Sequence, residues 1–181
     1  DQQRTGPITV IGPGTGLGVA GVMQTNQGWI ALPGEGGHAT LAPIDDFESQ
    51  VLQHVRQVHA HVSAERLLSG IGLPVLHDAV ATVLGHSVPP LTTEEIVERG
   101  LAGADALCSH TVDTFCALLG SFAGNVALTL GARGGIYIGG GIVPRLGDYF
   151  DRSAFRTRFE DKGRFSSYLE AIPTYVITAE H

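Results

Sequence analysis

Ile8-Thr9-Val10-Ile11-Gly12-Pro13-Gly14-Thr15-Gly16-Leu17-Gly18-Val19-Ala20 decides the fold. A short β-branched run enters a turn of alternating glycines, and a second apolar run leaves it, so the stretch reads as strand, tight turn, returning strand. Working outward, Gly6-Pro7 punctuates the start, and the returning strand is expected to run from Leu17 to Met23. Thr25-Asn26-Gln27-Gly28 is a hairpin signal, and Trp29-Ile30-Ala31-Leu32 follows as a third strand. Pro33-Gly34-Glu35-Gly36-Gly37-His38 is expected to be a loop, because a proline and three glycines do not hold a regular element.

The pattern turns helical after Pro43. Phe47, Val51, Leu52, Val55 and Val58 follow a helical period. Further helices are expected at Ser63 to Leu68, at Leu73 to Leu84, and through Leu101 from a capping box at Thr92 and Glu95. Ala104 to Leu130 reads as one long buried helix that Gly131 ends. Gly135 to Ile138 is a buried strand, Pro144 suits the first turn of a helix, Asp151 to Phe159 is helical, and Ile172 to Thr178 is a last strand. A hairpin sheet, a helical middle and a return to strands predict an α/β fold: a mixed sheet with flanking helices.

The 181 residues suit one domain, and 43% hydrophobic with 16% charged residues suits a packed core. Among 11 positive residues only Lys162 is lysine, and the net charge is -7. No basic stripe follows a phosphate backbone, which argues against nucleic acid as partner. The apolar run Phe115 to Leu130 is interrupted by Gly120, Ser121, Gly124, Asn125 and Thr129, so no membrane span is expected, and no signal peptide is visible. Cys108 and Cys116, on one predicted helix, read as reduced core residues of a cytoplasmic protein, and no zinc spacing is present. Both ends read as interior to a longer polypeptide: Asp1 is not methionine, and strand-like runs lie close to each end.

Three constellations could carry chemistry. The turn Gly12 to Gly18 can present backbone N–H groups to an anion, with the Thr15 hydroxyl beside them. It is neither a Walker loop nor a dinucleotide fingerprint, since no Gly-Lys-Ser/Thr follows and a strand comes next. A hairpin that merely needs glycine is the plainer reading. In Glu35-Gly36-Gly37-His38, a carboxylate and an imidazole on one loop could converge on vicinal hydroxyls. The strand Gly135 to Ile138, ending in Gly139-Gly140-Gly141 before a helix, could floor a base or a phosphate, or could serve only close packing. Glu65, at a helix start, reads from the residues alone as a partner of the helix dipole.

In order along the chain, these stretches resemble the bacterial glucokinase family of the hexokinase–actin superfamily. The resemblance rests on Pro13 to Ala20, Leu32 to His38, His61 to Arg66, Leu68-Ser69-Gly70, Gly139 to Arg145 and Phe159-Glu160-Asp161-Lys162-Gly163-Arg164-Phe165. It implies an actin-like ATPase (ribonuclease H-like) domain. Gly14, Thr15 and Gly16 then match a second phosphate loop, Gly139, Gly140 and Gly141 an adenosine motif, and Glu35, His38 and Glu65 the glucose-hydroxyl ligands. The related ROK group usually carries a cysteine-rich zinc motif after its Glu-Gly-His loop. This chain has no cysteine between His38 and Cys108, which favours the plain glucokinase branch and no resident metal.

The family's first phosphate loop, of Asp-Gly-Gly type, and the Asn-Asp pair bearing its catalytic base have no match here. The resemblance therefore implies that residues 1–181 form the large domain, without the N-terminal small domain, the C-terminal tail or any catalytic residue. The implied reaction is ATP-dependent phosphorylation of glucose, with Mg²⁺ on the ATP phosphates and a cytoplasmic location. The chain alone is expected to be inactive, and a homodimer through the long helix is left open. The rivals are a non-catalytic sugar sensor of the same superfamily, a dimerisation domain, and an oxidoreductase suggested only by glycine content.

Overall fold

A computed structural model of the chain describes residues 6–178. Five strands, β1 (Ile8–Pro13), β2 (Leu17–Thr25), β3 (Gly28–Gly34), β4 (Gly135–Ile138) and β5 (Thr174–Val176), form one sheet in the order β3-β2-β1-β4-β5. The two hairpin pairs are antiparallel and the β1–β4 and β4–β5 pairs parallel, as a mixed sheet requires. Pro33 pairs with Ala20 inside β3, so the strand runs further than expected. Its missing N–H is tolerated because β3 lies at the sheet edge.

Between β3 and β4 lie α1 (Asp46–Val55), α2 (Ala64–Leu67), α3 (Leu73–Val83), α4 (Thr93–Leu101) and α5 (Ala106–Leu130). Between β4 and β5 lie α6 (Val143–Leu146), α7 (Asp148–Arg152), α8 (Phe155–Glu160) and α9 (Ser166–Glu170). The α4 capping box forms as its spacing predicts, with Thr92 and Glu95 bonded reciprocally. Two expectations need correcting. Helix α1 stops at Val55, leaving Val58 80% exposed, and the run Asp151 to Phe159 is broken at Ser153. The Ser153 hydroxyl accepts from Phe155 N and donates to Phe150 O, a local arrangement that competes with the helix ladder.

Helix α5 is the axis of the core. Its length and composition would suffice to cross a membrane, yet 78% of its apolar window is buried inside the fold. α4, α8 and β1 pack on it, and Asp105 caps its first turn while Gly131 ends it in a left-handed conformation. Cys108 and Cys116 are free and buried on it, and burial pushes their thiols up to about 11 and about 12. Glu48 of α1, itself buried, takes an ion pair from Arg158 of α8, which also donates to Ser121 of α5 at 3.0 Å.

The two faces of the sheet differ. Thr9, Ile11, Val19, Ile136 and Ile138 are buried on the face that carries α5. On the other face, register aligns Tyr175, Tyr137, Val10, Ala20 and Pro33 in one row. Val10 and Tyr175 there are 37% and 45% exposed, and Trp29 at the start of β3 is 58% exposed.

Candidate functional site

The β1–β2 turn is clamped to the corner between α2 and α3. Gly14 N donates to Gly16 O at 2.9 Å and closes the turn. Gly70 N donates back to Gly14 O at 2.7 Å, and Ile71 N to Thr15 O at 3.5 Å. From the far side of the same turn, Leu17 N donates to Glu65 Oε2 at 2.8 Å. Glu65 sits in the first turn of α2, whose N-cap is Ser63 accepting from Arg66 N. Its carboxylate therefore reaches out of the helix to a strand, rather than serving only its own helix dipole.

Glu65 Oε1 points toward His38, with Nδ1 at 3.9 Å. His38 ends a 3-10 turn, Gly36–His38, that follows Glu35 directly. A regular turn thus forms where a bare loop was expected. His38 N donates to Glu35 O at 3.0 Å, and Glu35 bridges Val19 of β2. Gly37 is buried against β2, and a Cβ there would lie 2.1 Å from Leu17 O, so only glycine lets the turn approach this closely. Glu35 and His38 are exposed and Glu65 is partly buried, near the start of β2. The His38–Glu65 pair is brought together; Glu35 reaches the group through the backbone of the 3-10 turn.

On the other side of the clamp lies a cavity of about 460 Å³. Gly14, Thr15 and Gly141 line it, with Gly70, Ile71, Thr93, Glu94, Ile142 and Arg145. Gly139 N donates to Ile11 O at 2.8 Å and Ile142 N to Pro13 O at 3.3 Å, which lays the glycine loop against the turn. Gly140 has φ +75°, and a Cβ there would lie 2.3 Å from Pro13 O. Gly139 and Gly140 shape this wall from behind, and Gly16 closes the turn without lining the cavity. Thr93 Oγ1 donates to Gly70 O, tying the start of α4 to the α2–α3 corner.

Thr93, Glu94 and Arg145 were not singled out by reading the sequence. They stand at helix starts that the Thr92–Glu95 capping box and Pro144 signal, but neither signal marks a ligand site. Chemically, one side of the clamp offers a carboxylate and an imidazole that can hold hydroxyl groups. The other offers glycine backbone, a hydroxyl and a guanidinium, which suit phosphate. Among the described residues no group of three or more His, Cys, Asp or Glu is placed to hold a metal ion.

A family model described as Glucokinase matches residues 1–181. The chain is 53% identical over 174 residues to a glucokinase of Neisseria meningitidis, covering 96% of this chain and 53% of that protein. It thus spans about half the length of that curated relative. A solved glucokinase from an Antarctic psychrotroph superposes with a TM-score of 0.93 at 39% identity, over 99% of this chain and 55% of that one. A ROK family glucokinase from Streptomyces griseus, solved in complex with glucose and AMPPNP, shares the fold at TM-score 0.61 and 19% identity, over 98% of this chain and 56% of that one.

Proposed function

This chain belongs to the glucokinase family, with its actin-like fold, and we propose that the whole protein transfers the terminal phosphoryl group of ATP to glucose, giving glucose 6-phosphate. The observation that carries the proposal is the clamp: Leu17 N on Glu65 Oε2 and Gly70 N on Gly14 O. It ties a hydroxyl-binding carboxylate and a phosphate-type turn to one rigid corner. Phosphoryl transfer is mostly positioning and charge neutralisation, so a fixed spacing between acceptor and donor sites is what the reaction needs.

In this reading Glu35, His38 and Glu65 hold the sugar hydroxyls. Oε1 of Glu65 serves the ligand, since Oε2 is already bonded to Leu17 N. Gly14 and Thr15 face the phosphates while Gly16 closes the phosphate turn behind them, Gly139, Gly140 and Gly141 back the nucleotide, and Arg145 supplies positive charge at the cavity wall. Mg²⁺ arrives as part of the MgATP substrate. Residues 1–181 act as the large domain. The group that takes the 6-hydroxyl proton comes from outside this chain, and closure of the domains excludes water. The proposal carries a cytoplasmic location, where ATP is available. The sugar-sensor reading has no observation in its favour.

The test is Glu35→Gln in the full-length enzyme. A hydrogen bond to a charged group contributes ~1.5–3 kcal/mol, so KM for glucose should rise on the order of 10- to 100-fold with KM for ATP little changed. An unchanged KM for glucose removes Glu35 from the sugar site. The chain by itself should form no glucose 6-phosphate above a protein-free control.

A further inference from the structure

Away from the clamp, a second cavity of about 340 Å³ opens between the end of α1, the first turns of α3 and the loop before α4. Its inner walls are apolar, with Val55, Val75, Val88, Pro89 and Leu91, and His54, His59 and Asp78 stand toward its open side. His77 of α3 also lines it and is 3% exposed.

The hydrogen bonds around His77 fix its tautomer. Thr111 Oγ1 donates its proton to Leu107 O at 2.9 Å. It can then only accept from His77, whose Nδ1 lies 2.9 Å away. The Nδ1 position therefore carries the hydrogen, and Nε2 keeps its lone pair. Among the described residues, Nε2 has no protein partner. Burial also depresses the pKa of the imidazole, which favours the neutral ring. At the rim, Asp78 is already paired with His54, Nε2 to Oδ2 at 3.1 Å.

We propose that this cavity binds a small, neutral ring compound bearing one hydroxyl, a phenol in its simplest form, whose O–H donates to His77 Nε2. The chemistry selects this class. Apolar walls with a few polar groups are the usual make-up of a small-molecule site, and the volume lies within the usual range. The one buried polar side chain of the wall, His77, offers an acceptor, so the ligand needs a donor. The buried part of the wall holds no charged group, so a charged ligand seated against His77 would be desolvated without compensation. The site shares no residue with the clamp or with the nucleotide cavity, so it stands whether or not the kinase reading does.

The probe pair is para-cresol and para-xylene, alike except for the hydroxyl, titrated into the full-length protein and followed by ¹⁵N NMR of histidine. Cresol should bind saturably and at least tenfold more tightly than xylene, moving the His77 Nε2 resonance upfield. Equal affinity for the two, no saturable binding by either, or binding that leaves His77 unmoved would each overturn the proposal. Val75→Phe, at a half-buried wall position, fills the cavity and should abolish cresol binding without altering glucose kinetics. Cresol binding retained in that variant would also overturn it, and the probe pair needs no variant to fold.

Discussion

On the side of the β1–β2 turn proposed for the sugar the candidate ligand groups are side chains, and on the side proposed for the nucleotide they are mainly backbone. Glu65 and His38 reach the sugar side through rotatable bonds, and Glu65 is anchored by one backbone donor. The nucleotide side is set by where the chain itself runs, with the glycine loop pressed on Pro13. The difference teaches that a side-chain change should act on one substrate and leave the other alone. A backbone change should act on the seat itself.

The largest expected effect is at Gly140. Alanine there meets Pro13 O at 2.3 Å with φ +75°, and such strain costs on the order of 1–3 kcal/mol before the loop moves. In the full-length enzyme, kcat/KM for ATP should fall on the order of a hundredfold, the upper part of that range, while glucose binding measured by calorimetry weakens far less. Normal ATP kinetics would break the contrast between the two sides. Glu65 sharpens it. Glu65→Gln keeps an amide oxygen to accept from Leu17 N and removes only the charge, so KM for glucose should rise on the order of 10- to 100-fold with ATP unaffected. Glu65→Ala also releases the turn, and KM for ATP should then rise too. Identical profiles for the two variants would show that Leu17 N does not couple the sites.

Smaller effects follow on the nucleotide side. Arg145→Gln removes the guanidinium from the cavity wall, and KM for ATP should rise about tenfold, as expected for one charge-assisted contact. Thr15→Ala removes one neutral hydroxyl, worth ~0.5–1.5 kcal/mol, and should shift KM for ATP by only a few-fold. A glucose effect larger than the ATP effect in either variant would reverse the assignment of the two sides, as initial-rate measurements against each substrate would show.

The sheet and the α4 cap were legible because their signals are local: β-branched runs, glycine turns and the Thr92–Glu95 spacing. The break at Ser153 was not, because periodicity sees apolar residues and not a hydroxyl bonding back to the chain. Glu65 shows the sharper limit. Its local setting favours a dipole partner, while its bond to Leu17 N spans 48 residues. Only the family resemblance pointed past the local reading. Thr93 reaches the cavity through α4 packing on α5 and Arg145 through the bond of Ile142 N to Pro13 O, long-range contacts that leave no mark in their own neighbourhoods.

The uncovered face of the sheet has a practical use. Trp29, the only tryptophan in the chain, stands there beside the end of β2, 58% exposed. A single indole makes the intrinsic fluorescence of the chain a reporter of one place. Anything that settles onto that face should shift its emission to the blue and shield it from iodide quenching, without a dye.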